Sequence, residues 1–182
     1  MKFEDEDDFY FLQIIQRKKE HPELGKNNRC VKTFYVYSEE KFNDYEEEIK
    51  QLCRLYNARA YIHINRRSSE QLGLELLENI VHNLKSKQYK GLYHSYDSAC
   101  GRHHSKKDKT WVVDIDSDSP EFWFKIEEAL MSIQPEGPKV IEKILTKNGV
   151  HFITRPFNSQ VFGQMFPDIS IHTNNPTILF IP

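Results

Sequence analysis

Trp111-Val112-Val113-Asp114-Ile115-Asp116 is the stretch on which the fold turns. Aromatic and β-branched residues pack well on a pleated, half-buried surface, so the run predicts a strand. Side chains alternate across a strand. Trp111, Val113 and Ile115 therefore share one face and can pack beneath helices, while Asp114 and Asp116 share the other, about 7 Å apart. Directly after the strand, Asp118 reads as the N-cap of a helix from about Ser119 to Ile133, with Pro120 in its first turn and Glu121 at the capping-box position. Gln134 to Pro138 reads as a turn.

Downstream, Val140 to Lys147 and Val150 to Phe157 read as strands flanking Asn148-Gly149, a type I′ hairpin dipeptide. A two-residue loop there pairs Lys147 with Val150 and Thr146 with His151. A short connection leads to Phe166-Pro167-Asp168, and Ile169 to His172 and Thr177 to Ile181 are strand-like. Upstream, Gln88 to Lys109 is polar, lacks periodicity and reads as a long loop. Before it, Ser68 or Ser69 caps a helix whose Leu72, Leu76, Ile80 and Leu84 form an apolar stripe. Ala58 to Asn65 is a strand. Ser38 caps a further helix running through Tyr56, with Phe42, Tyr45, Ile49, Leu52 and Leu55 at helical spacing, and Val31 to Tyr37 is a strand. Asp7 to Lys19 reads as a short helix ended near His21-Pro22. The βαβα order favours an α/β (α+β) fold. Its expected divisions are 1–30 (helix and connection), 31–108 (βαβα module and polar loop) and 109–182 (second module), in one compact unit.

The 182 residues are enough for one domain with a real core. A net charge of −2 excludes a protein that coats nucleic acid through bulk electrostatics. Any such contact must be local, at Arg66-Arg67, at Arg102 to Lys109, or at Lys139, Lys143, Lys147 and Arg155; the commoner meaning of such clusters is solvated surface. The three cysteines, Cys30, Cys53 and Cys100, are dispersed and odd in number, which implies no disulfide framework. No apolar run approaches the ~20 residues that span a bilayer, and the acidic opening, Glu4 to Asp8, reads as no secretory leader. The expectation is a cytoplasmic protein with no membrane partner.

Asp114 and Asp116 carry the clearest chemistry. Two carboxylates this close repel, and burying them unpaired is costly. Bound Mg²⁺ or Mn²⁺ reverses that cost, because hard cations prefer carboxylate oxygens; the plain alternative is a solvated strand end. On the expected hairpin register, His151, Ile153 and Arg155 share a face with Thr146, Ile144 and Glu142. An imidazole, a hydroxyl and a guanidinium on one sheet face suit phosphate, against the alternative of a half-buried His151 and an Arg155–Glu142 pair. If the strand after Asp168 lies beside Trp111–Asp116, a third carboxylate joins the pair. Three carboxylates holding metal ions is the logic of two-metal phosphoryl transfer.

In this order, Asp114-Ile115-Asp116, then Asn148-Gly149-Val150-His151, then Asp168, the chain resembles the archaeo-eukaryotic primases and primase-polymerases, as a small phage- or plasmid-type member. The resemblance covers Lys109 to Pro182. It implies that Asp114, Asp116 and Asp168 coordinate Mg²⁺ or Mn²⁺ and that His151, with Arg155 and Lys147, engages the phosphates of a nucleoside triphosphate. It also implies an N-terminal α/β module packed with an RRM-like mixed catalytic sheet, a DNA or RNA template, and a helicase or another replication protein as companion. If phage-encoded, the protein acts in the host cytoplasm.

Other candidates remain open. His94, Cys100, His103 and His104 are close enough in sequence for a zinc knuckle, against the alternative of a basic loop. Arg66, at the carboxyl end of the Ala58–Asn65 strand, is placed for phosphate. His63 and His151 suggest a two-histidine phosphoesterase, but His63-Ile64-Asn65 and His151-Phe152-Ile153-Thr154 break that class's spacing. The non-enzymatic alternative is a nucleic-acid-binding or replication-accessory module on the same fold.

Overall fold

The structure, a computed structural model, describes residues 1–102, 109–174 and 176–182. In chain order its elements are β1 (Asp8–Gln16), β2 (Arg29–Val36), α1 (Glu39–Tyr56), β3 (Arg59–Ile62), β4 (Arg67–Ser68), α2 (Ser69–Lys85) and α3 (Ser95–Arg102). They continue with β5 (Trp111–Ile115), α4 (Pro120–Ser132), β6 (Val140–Leu145), β7 (Val150–Thr154), α5 (Ser159–Met165), β8 (Ser170–His172) and β9 (Thr177–Phe180). The chain forms two compact units, one of Met1–Ser105 with Ile178–Pro182 and one of Lys106–Thr177. The α+β class expected from the sequence is the one observed.

The first unit is built on a sheet ordered β2-β1-β3-β9, with β4 also paired to β1. Its central strand corrects the sequence reading, which made Asp7 to Lys19 a helix. Leu12 and Ile14 pack with Phe34, Ile49 and Cys53, whereas Phe9 and Phe11 pack with Leu72, Ala99 and Cys100. A strand covered on both faces shows no alternation of polar and apolar residues, so its apolar run cannot be told from a buried helix by periodicity. The β2-α1-β3 connection steps over β1, which runs antiparallel to both strands.

The helix starts are local. Ser38 accepts from the Lys41 N–H at 3.0 Å, and Ser68 accepts from the Gln71 N–H at 3.1 Å. Asn57, at φ 46°, closes α1. The stretch read as a loop from Gln88 contains a 3₁₀ turn, Tyr89–His94, and then α3, whose Ala99 and Cys100 are fully buried. Two small buried residues among polar ones leave too weak a stripe to read as a helix.

The second unit runs β5-α4-β6-β7-α5-β8, with the sheet ordered β6-β7-β5-β8. This β-α-β-β-α-β order is that of a split βαβ unit. The sheet is antiparallel at all three of its pairings, where a mixed sheet was expected. Val113, Ile115 and Phe152 pack with Ile126 and Leu130 of α4 and Phe162 of α5. Ser119, not Asp118, caps α4, accepting from the Phe122 N–H at 3.3 Å. The short connection before Asp168 is α5, capped by Asn158. The last strand, expected in the second module, is β9, next to β3 in the first unit's sheet. No helix of the described residues is long and apolar enough to cross a membrane.

Candidate functional site

The site is built on β5 and its two neighbours. In register, Asp114 lies opposite His151 of β7 and Ser170 of β8, and Val112 lies opposite Ile153 and His172. Because Trp111, Val113 and Ile115 are taken up by the helix-covered core, alternation turns Asp114 to the other face, together with His151 and His172. There His151 Nε2 lies 3.1 Å from Asp114 Oδ1, and His172 Nε2 lies 3.8 Å from Asp114 Oδ2. The far nitrogen of His151, Nδ1, is 2.8 Å from the hydroxyl of Thr177. A carboxylate therefore sits between two imidazoles, one of them fixed from behind.

The hydrogen bond from His151 holds the Asp114 carboxyl below the ordinary carboxylate range. Burial opposes this, and the nearby His151 and His172 charges reinforce it. Ionised Asp114 only accepts, so the His151 Nε2–H donates to it.

Asp116 and Asp168 are exposed; the first lies just past β5 and the second in the turn ahead of β8. The β5–β8 ladder stops at the Asp114–Ser170 pair, two residues short of Asp116 on one strand and of Asp168 on the other. Both carboxylates thus belong to the same end of the sheet as Asp114. Hard oxygen donors of this kind suit Mg²⁺ or Mn²⁺. Among the described residues, however, no three His, Cys, Asp or Glu side chains stand together closely enough to hold an ion. The donor chemistry fits such a cation, and the side chains stand apart.

The β6–β7 hairpin departs from the expected register. Leu145 pairs with Val150 and Ile144 with His151, so Thr146 to Gly149 form a four-residue loop closed by Thr146 N–H donating to the Gly149 carbonyl at 2.9 Å. Neither Asn148 nor Gly149 takes the positive φ that a type I′ turn requires. The glycine serves another purpose. A Cβ there would lie 2.0 Å from the Ile115 carbonyl oxygen and 2.7 Å from the Ser117 nitrogen, so the loop rests directly on the backbone leading into Asp116.

Ile144, and not Thr146, is consequently the neighbour of His151. Lys147 is exposed in the loop. Arg155, exposed beyond the end of β7, is four residues from His151, about 13 Å along a strand. The register thus leaves His151 beside Asp114 and puts Arg155 further off.

The remaining candidates lie in the first unit. Arg66 is almost wholly buried, ion-paired with Glu4 and, at 3.6 Å, with Asp8, so its charge is already met by two carboxylates. His63, also buried, packs its ring on Phe11 with centroids 5.2 Å apart. Cys100 is inside the core, where burial pushes its thiol up to about 11, opposite to what a zinc-binding thiolate needs. His94 ends the 3₁₀ turn and is exposed, and His103 and His104 lie outside the described residues.

Two residues of the site escaped the sequence reading. His172 was within reach, because Ser170 and His172 alternate with Ile169 and Ile171 and so face the same way as Asp114. For Thr177, no local pattern signals its partner 26 positions away. The fold and site define an α+β protein with a carboxylate–imidazole cluster on a split βαβ sheet. No protein-family model, curated protein or solved structure matches the chain.

Proposed function

We propose that the protein is a metal-dependent nucleotidyltransferase of the primase-polymerase type, acting on nucleoside triphosphates with a DNA or RNA template. The observation that carries this reading is the register pairing of Asp114 with His151 on adjacent strands. It matches the neighbourhood that the resemblance implies for an acidic pair and a phosphate-contacting histidine. Asp168, before the strand on the other side of β5, supports it. In this reading Asp114, Asp116 and Asp168 hold Mg²⁺ or Mn²⁺. The ion when bound supplies charge neutralisation for the triphosphate. His151 presents its Nε2–H to a phosphate oxygen, exchanging Asp114 for the substrate as acceptor, while Thr177 keeps the ring oriented. Lys147, exposed in the loop beside the β5 end, adds a positive charge. A helicase or another replication protein is the companion this reading implies.

A second reading, a non-catalytic nucleic-acid-binding or replication-accessory module, is favoured by one observation. The Asp114 carboxylate already accepts from His151 at 3.1 Å and has His172 3.8 Å from its other oxygen. Thermal-shift titration with Mn²⁺ and a nucleoside triphosphate separates the two. The enzyme reading expects stabilisation that needs both ligands and disappears in Asp116→Ala, a substitution at an exposed side chain that leaves the core untouched. Nucleic-acid binding indifferent to metal, with no triphosphate effect in the wild type, would establish the accessory module instead.

A further inference from the structure

Helix α2 buries little of its apolar surface. Leu72 is 1% exposed, but Leu74, Leu77, Val81 and Leu84 are 60%, 61%, 47% and 49% exposed. Their spacings of three, four and three residues are those of the a and d positions of a heptad, which line the narrow seam between two helices. Leu77 and Val81 also line a shallow groove of about 430 Å³ with Glu78, His82 and Lys85. A contiguous aliphatic stripe of this kind is uncommon on a monomer's surface.

The charges beside the stripe indicate what covers it. Glu78 and Lys85 are seven residues apart, so they lie on the same edge of the helix two turns from one another. Neither has an ion-pair partner among the described residues. In an antiparallel pair of identical helices whose two-fold axis passes midway between them, Glu78 of each copy is level with Lys85 of the other. The axis then runs beside Val81, and Leu77 of each helix reaches the Leu84 end of its mate. A parallel pairing sets Glu78 level with Glu78 and loses the match. The surface is self-complementary, as an isologous two-fold contact requires.

We propose that two copies of this chain associate through α2, packed antiparallel along Leu77, Val81 and Leu84 with reciprocal Glu78–Lys85 pairs. The seam from Leu77 to Leu84 is about 10 Å long. It belongs to the small, weak class of interfaces, so dimerisation is expected at tens of micromolar.

Sedimentation equilibrium from about 5 to about 500 μM, a range that brackets such an affinity, tests the proposal. The mass is expected to rise from the 21.7 kDa monomer towards twice that value. Val81→Glu should weaken association at least about tenfold, by burying an unpaired carboxylate in the seam, with an unchanged far-UV circular dichroism spectrum. Glu78→Lys and Lys85→Glu should each weaken it, and the double variant should restore it. A wild type that stays monomeric throughout, a Val81→Glu protein that dimerises like the wild type, or a double variant no tighter than the single ones would each overturn the proposal.

Discussion

Replacing Gly149 by alanine adds one methyl group in a place the backbone has already filled. The new Cβ would lie 2.0 Å from the Ile115 carbonyl oxygen, where ordinary contact begins at 3.4 Å, so loop and strand must separate by about 1.4 Å. Neither group is the end of a flexible side chain: one is the last carbonyl of β5 and the other is the loop closed by the Thr146–Gly149 hydrogen bond. Overpacking of this kind costs ~1–3 kcal/mol. Loosening the adjoining Ile115–Val150 pair adds roughly 1 kcal/mol for each hydrogen bond lost. Alanine recovers ~0.5–1 kcal/mol through a less flexible unfolded chain, leaving a net loss of about 2 kcal/mol. Urea unfolding followed by circular dichroism measures this directly. Gly163, inside α5 with nothing within 4 Å of its added Cβ, is the internal control. Gly163→Ala should stabilise by up to ~1 kcal/mol through helix propensity. If Gly149→Ala unfolds within about 0.5 kcal/mol of the wild type, the spread expected of ordinary surface changes, the close approach of the loop to the β5 end is not real.

Two further outcomes follow from the carboxylate–imidazole cluster. The Asp114 carboxyl titrates below its unfolded value because of the His151 hydrogen bond. Its ionised form thus adds stability that is present above the unfolded carboxylate pKa and is lost as pH falls through the depressed one; Asp114→Asn should flatten the acid limb of urea midpoint against pH, and an unchanged limb would contradict the assignment. Thr177→Val leaves His151 Nδ1 without its hydroxyl partner, so the long-range ¹H–¹⁵N signals of that ring should shift towards a mixture of tautomers, whereas Thr177→Ser should keep the wild-type pattern; identical spectra for all three proteins would rule out a positioning role for the threonine.

How much of this was legible in the chain differs from element to element. The β5 strand, its alternation and the helix after it were read correctly because each depends on neighbours within a few residues. So was Ser38 as a helix cap, while the choice between Ser68 and Ser69 for the next helix fell to Ser68. The pattern failed where burial was two-sided. β1 carries Phe9, Phe11, Leu12 and Ile14 into both layers of its unit, and a run of this kind has no period to read. The hairpin failed for a different reason. Asn148-Gly149 has the composition of a type I′ turn, but its glycine is required by the nearness of the Ile115 carbonyl, a tertiary constraint, and the loop takes four residues instead of two. That two-residue change of register replaced Thr146 by Ile144 beside His151.

By itself, then, the order of residues determined the chemistry on offer: carboxylates at the end of an apolar strand, an imidazole on a later one, and a third carboxylate ahead of the last strand of that sheet. Strand alternation is short-range, so the order of residues alone fixes these groups. Which groups meet was a matter for tertiary structure alone. The pairing of β5 with both β7 and β8 brought His151 and His172 to Asp114, and Thr177 came to His151 across 26 positions. Strand partners are chosen by burying whole faces at once, and no local sequence signal encodes that choice.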